Sequence, residues 1–147
     1  MKTRKTKFLM AGALAAVIVL GGGAGYLVHT SSTNASQLDE KDAEQTVKNY
    51  FAALETKNAE DAVKYSIDTR YGPEQEGSRK SDYRELMASN TSLLKNIDKI
   101  VKIDEKTFTA TLDVYTNDNG NITLDFPVTL TEDGSWKIVI GQSIPAQ

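Results

Sequence analysis

The stretch TFTATLDVYTNDNGNITLDFPVTLTEDGSWKIVI, Thr107 to Ile140, decides the fold, because its apolar residues recur at every second position. Phe108, Ala110, Leu112 and Val114 form one such series, Ile122, Leu124, Phe126, Val128 and Leu130 a second, and Trp136, Ile138 and Ile140 a third. A strand turns successive side chains to opposite faces, so each series predicts a strand with one buried face. Asn117-Asp118-Asn119-Gly120 and Glu132-Asp133-Gly134 sit between them as hairpin turns. Upstream, Ile100, Val101 and Ile103 suggest a shorter strand, joined through Asp104-Glu105-Lys106. The expectation is an antiparallel meander of about four strands. Pro127 is its misfit, since an inner strand has no place for a residue without an amide hydrogen, and the unbroken alternation leaves no room for a bulge. The opposite face carries Thr107, Thr109, Thr111, Asp113, Thr123, Asp125, Thr129 and Lys137, which predicts a wet surface and a monomeric body.

Before Asp98 the period is 3.6. Asp39 is placed to cap a helix bearing Ala43, Val47, Tyr50, Phe51 and Leu54 on one face, ended at Lys57-Asn58. Asn58 and Asp61 have the spacing of a cap for a second, short helix with Ala62, Val63 and Tyr65. Asp68 to Lys80, DTRYGPEQEGSRK, has no apolar period and reads as a loop. Ser81 then restarts a helix with Tyr83, Leu86, Met87, Asn90, Leu94 and Ile97 on one face. Three helices followed by a one-faced sheet predict an α+β domain, helices packed on the sheet.

The N-terminal end has a different character. Lys2, Arg4, Lys5 and Lys7 form a basic tail at positions 1–7, followed by an uncharged run from Phe8 to Val28. As a helix that run rises about 31 Å, close to the roughly 30 Å of a bilayer core. It reads first as an uncleaved transmembrane anchor; a cleaved signal peptide, with Gly23-Ala24-Gly25 as its site, is the alternative. The basic flank places the N-terminus in the cytoplasm and the body outside the membrane. Residues 29–38, from His29 through TSSTNASQL, read as a polar tether, leaving 39–147 as the folded domain.

Composition excludes several functions. The 147 residues contain no cysteine, so there is no disulfide, thiolate metal site, cysteine nucleophile or lipidated cysteine. Beyond the basic tail the chain has 13 basic and 20 acidic residues, a net charge of -7 that opposes nucleic acid. NDNG at Asn117 to Gly120 lacks the remaining oxygens of a calcium loop, and there is no phosphate or dinucleotide fingerprint. No cofactor and no metal are expected.

Two segments carry a resemblance. AEQTVKNYFAALETKNAEDAVKYSID (Ala43 to Asp68) and TEDGSWKIV (Thr131 to Val139) resemble the opening helices and last hairpin of the nuclear transport factor 2-like, or cystatin-like, superfamily. That resemblance implies a cone, helices wrapped by a curved antiparallel sheet, with a cavity at the open end. Exported bacterial members include single-span components of conjugation and secretion channels and accessory domains of cell-wall transpeptidases. Other members are isomerases and dehydratases using Asp, His or Tyr, but this body has no histidine after His29. On the cone analogy the polar aromatic stretch Tyr65 to Tyr83 rims the cavity. Tyr65, Arg70, Tyr71 and Tyr83 are then candidate ligand or partner contacts and Asp68 a candidate base. The plainer reading makes Tyr65 and Tyr83 core edges and the rest a solvated loop, in which Asp68 keeps an ordinary carboxylate pKa and is a poor base. The expected function is a non-catalytic, membrane-anchored module that binds a protein partner in the bacterial envelope. A carrier of a small ligand, and less so an isomerase or dehydratase, are the alternatives.

Overall fold

The computed structural model describes residues 30–141. The basic tail, the apolar run Phe8–Val28 and His29 lie outside the described residues, and among those described no helix is long and apolar enough to cross a membrane.

Helix α1 spans Thr30–Glu55 and α2 Ala59–Lys64. The buried face of α1 is the predicted one, Ala43, Val47, Tyr50 and Phe51, with Ala53 added. Its start differs: the helix begins at Thr30, so Asp39 is inside it and caps nothing, and part of the expected tether is helical. Ala35, Gln37 and Leu38 on this extension are exposed. At the other end Lys57 takes a positive φ of 56°, and the Asn58 and Lys57 amides donate to the carbonyls of Ala53 and Leu54, at 2.8 and 3.2 Å. This is a Schellman ending. Asn58 Oδ1 then accepts from the Asp61 amide at 3.1 Å and caps α2, as its spacing predicts.

The segment after α2 departs from expectation. Ser66–Asp68 is a short strand, β1, and Pro73–Gln75 a 3-10 turn that leads into α3, Glu76–Ser89. The expected loop is therefore shorter, and α3 starts before Ser81 and stops before Leu94. Strands β2 (Ser92–Asp104), β3 (Thr107–Thr116), β4 (Gly120–Leu130) and β5 (Trp136–Ile140) follow. The sheet has five strands in the order β1-β5-β4-β3-β2. The meander is antiparallel as predicted, but β1 lies parallel to β5, so the sheet is mixed.

Bulges in β2 explain the misread helix. Leu94, Ile97 and Ile100 sit opposite Val114, Leu112 and Ala110, with register shifts between Leu94 and Asn96 and between Ile97 and Lys99. Each shift inserts one residue, so a spacing of two on β3 becomes a spacing of three on β2. A bulged strand with that spacing imitates a helical face.

Pro127 is accommodated without a bulge. The Leu130 amide donates to the Lys106 carbonyl, toward β3. Amides alternate along an antiparallel strand, so that of residue 127 would face β5. The β4–β5 ladder ends at Val128 and Ile138, one position short of it. Proline thus occupies the place where β4 parts from β5.

The core lies between helices and sheet. Phe108 meets Trp136 edge-on at 5.3 Å, and Phe51 bridges Tyr50 at 5.4 Å and Phe126 at 6.4 Å. Trp136 is buried, as its strand predicts. On the other face threonines and aspartates pair across β3 and β4: Thr111 with Asp125 at 2.6 Å and Thr123 with Asp113 at 2.7 Å. These polar cross-strand pairs satisfy the outer face, though Thr111 is itself buried.

Candidate functional site

The site forms where β1 ends. Asp68 is the last residue of a strand inserted beside β5, which carries its side chain out of solvent; it is 3% exposed. This corrects the expectation of a solvated loop carboxylate. Arg70, two residues on, turns back and donates to Asp68 Oδ1 from its amide (3.1 Å) and its Nε (2.9 Å), and to Oδ2 from Nη2 (2.6 Å). Tyr83 reaches in from α3 and donates its hydroxyl to Asp68 Oδ2 at 2.8 Å.

The electrostatics follow from that geometry. Burial pushes the Asp68 carboxyl upward, but the hydrogen bonds from Arg70 and Tyr83 outweigh it, and the group ends below its ordinary value. Asp68 is thus a bound carboxylate shifted downward, and the expected ordinary value in solvent is not met. Hydrogen bonding to Asp68 raises Arg70. Burial, chiefly, raises Tyr83 to about 12.

Arg79 completes the cluster. It lies one turn before Tyr83 on α3, so both face inward, and its guanidinium stands 5.0 Å from the Tyr83 ring. It donates to the Ser66 carbonyl at 3.2 Å, to the Ser66 hydroxyl, and to the Tyr83 hydroxyl at 3.3 Å. A continuous path thus runs Arg79, Tyr83, Asp68, Arg70. Arg79 lies in the stretch that reads as a loop; its interval of four to Tyr83 is the one sequence signal that α3 already runs through it.

Of the other sequence candidates, Tyr71 stands at the rim. Its hydroxyl donates to Asp82 Oδ2 at 2.7 Å, and the Arg70 guanidinium lies 5.9 Å from its ring. Hydrogen bonding to Asp82 raises the Tyr71 hydroxyl. Tyr65 is not brought to the cluster. It ends α2, packs partly buried against the core, and has Lys64 Nζ 5.1 Å from its ring. The core-edge reading holds for it.

A cavity of about 160 Å³ adjoins the cluster, lined among others by Tyr50, Leu54, Arg70, Tyr83, Met87 and Ile140. Tyr50, predicted only as core, faces this cavity. Burial raises its hydroxyl strongly, and no hydrogen bond to it occurs among the described residues. Gly141 seals the edge: with φ of 77°, it leaves a Cβ no room, 2.5 Å from Asp68 Oδ1 and 3.1 Å from Arg70 Cγ. Among the described residues no three His, Asp or Glu side chains gather as a metal site.

No family model matches the sequence, and no curated protein does. Solved structures are similar. A nuclear transport factor 2-like protein of unknown function from Cytophaga hutchinsonii aligns with 66% of this chain and 86% of its own, at 13% identity and a TM-score of 0.44. A protein named as a candidate ketosteroid isomerase from Shewanella frigidimarina aligns with 66% of this chain and 89% of its own, at 18% identity and a TM-score of 0.44. The first of these two is itself described as nuclear transport factor 2-like, the superfamily that the sequence resembles.

Proposed function

We propose that the protein is a membrane-anchored extracytoplasmic interaction module of a bacterial envelope assembly, serving secretion, conjugation or the cell wall, and that it binds without catalysing. One observation carries the non-catalytic part: the only carboxylate of the polar cluster, Asp68, accepts four hydrogen bonds from Arg70 and Tyr83 and is held ionised and occupied. A general base needs a free lone pair within reach of a substrate proton and a pKa near the working pH. Asp68 has neither. Arg70 and Tyr71 suit recognition, since the Arg70 side chain is 56% exposed and stands beside an aromatic ring at the rim. The anchor rests on the uncharged run Phe8–Val28 and the basic residues before it.

A second reading, a carrier of a small ligand, is favoured by the Tyr50 hydroxyl, which faces a mostly apolar cavity without a partner among the described residues. An isomerase or dehydratase is the third.

The test uses the full chain in its membrane. Cross-linking in intact cells should yield a discrete adduct with an envelope protein, and Arg70→Ala with Tyr71→Ala should remove it while the fold persists. The purified full chain should turn over no small ketone, epoxide or hydroxy acid. Turnover abolished by Asp68→Asn and retained in a variant of matched stability away from the cavity makes it an enzyme and overturns the proposal.

A further inference from the structure

Beside β1 a second, larger pocket, about 350 Å³, opens against α2, the 3-10 turn and α3. Its size falls within the range of small-molecule sites. Arg79 forms part of its wall and is 8% exposed. A guanidinium has five N–H donors. Three of Arg79's are met, by the Ser66 carbonyl, the Ser66 hydroxyl and the Tyr83 hydroxyl. Its Nε is buried and unpartnered, and no carboxylate lies within ion-pair distance of it among the described residues. A buried cation short of both counter-ion and acceptors is costly to maintain.

A second cation lines the same pocket. Lys137 comes from β5, half-buried, and forms no ion pair among the described residues. The pocket's two carboxylates are engaged elsewhere, Asp68 by Arg70 and Glu76 by Lys80 at 2.9 Å. Val63, Ile67 and Pro73 supply apolar wall.

We propose that this pocket binds a small organic monocarboxylate, its oxygens between Arg79 and Lys137 and its hydrocarbon against Val63, Ile67 and Pro73. The ligand supplies the acceptors and the negative charge that Arg79 lacks; drawing the guanidinium toward the pocket brings Nε, now enclosed, within its reach. Glu76 at the wall disfavours a dianion such as phosphate. The inference goes beyond the envelope reading, because the pocket needs neither a membrane nor a protein partner.

The experiment titrates the full chain in detergent micelles with sodium butyrate, against sodium chloride at equal ionic strength, and follows backbone amide shifts by NMR. Saturable shifts confined to Ser66, Ile67, Gly72 and Lys137 are expected. Lys137→Met, at a half-buried position, should raise the butyrate midpoint about tenfold, the worth of one charge-assisted hydrogen bond. Arg79→Lys should do the same or more; where that variant fails to fold, Lys137→Met decides. Shifts that do not saturate, shifts centred on Tyr50 and Met87, or a midpoint unmoved by Lys137→Met overturn the site. Inorganic phosphate saturating below the butyrate midpoint overturns the monocarboxylate. A cross-linked adduct that survives Arg70→Ala with Tyr71→Ala counts against the envelope reading alone, so the two failures are distinguishable.

Discussion

Asp68→Asn tests the polar cluster directly. Asparagine has the shape of aspartate but one acceptor oxygen and no charge, while four donors converge on the native carboxylate. At least one donor then faces an amide nitrogen. The buried bond from Tyr83 is charge-assisted and worth about 1.5–3 kcal/mol. The Arg70 pair contributes less, about 0–1 kcal/mol, because its side chain is 56% exposed and screened by water. The expected loss is therefore about 1.5–4 kcal/mol. The chain has a single tryptophan, Trp136, and it is buried, so urea unfolding of the full chain in detergent can be followed by its fluorescence. The pH dependence supplies a second readout. Since the folded Asp68 carboxyl lies below its ordinary value, its stabilisation is complete above the unfolded range near ~3.9 and fades as pH falls through that range toward the folded value. The variant should lack that acid-side increment. A variant within about 0.5 kcal/mol of the parent, or one equally acid-sensitive, would refute the account of Asp68 as a buried, bound carboxylate.

Trp136→Ala should cost about 3–5 kcal/mol in urea unfolding followed by far-ultraviolet circular dichroism, because the indole fills the sheet face against Phe108. Gly141→Ala should destabilise more than Gly134→Ala by the same assay: both glycines have positive φ, which costs alanine about 1–2 kcal/mol, but only at Gly141 does the added methyl strike Asp68 and Arg70.

The parts of the fold legible in the sequence are those where one period runs unbroken. Phe108 to Val114 and Ile122 to Leu130 alternate without interruption, and α1 keeps its inner face from Ala43 to Phe51. Where strand geometry is irregular the pattern misleads, as in β2, whose bulges convert period two into a spacing of three. β1 left no trace because Ser66, Ile67 and Asp68 offer one apolar residue, and the pairing that makes them a strand is with β5, far along the chain. The site suffered for the same reason. Asp68, Arg70, Tyr71 and Tyr83 were visible as a polar cluster, but burial of Asp68 and Arg79 depends on β1 docking and on where α3 begins. Neither is a local property of those residues.

The dependence of β1 on β5 has a consequence for biogenesis. β1 has one neighbour in the sheet, and that neighbour is the strand latest in sequence among the described residues. The Tyr65 carbonyl waits for the Ile138 amide, at 3.0 Å in the finished protein, and the Thr69 amide for the Ile140 carbonyl, at 3.1 Å. Closing so long a loop comes late, after the local helices and hairpins have formed. The residues of α1, α2 and α3, and Asp68 with Arg70, all precede β5 in the chain and so emerge before the strand that covers them. Entry of β5 at the edge of β4 is then the step that withdraws the charge from solvent and presses Gly141 onto it. A chain ending short of Trp136 keeps its helices but presents an unmatched strand and an open ion pair, the kind of exposed, loosely held segment that proteases cut. An unfinished copy of this protein is therefore marked at its polar cluster.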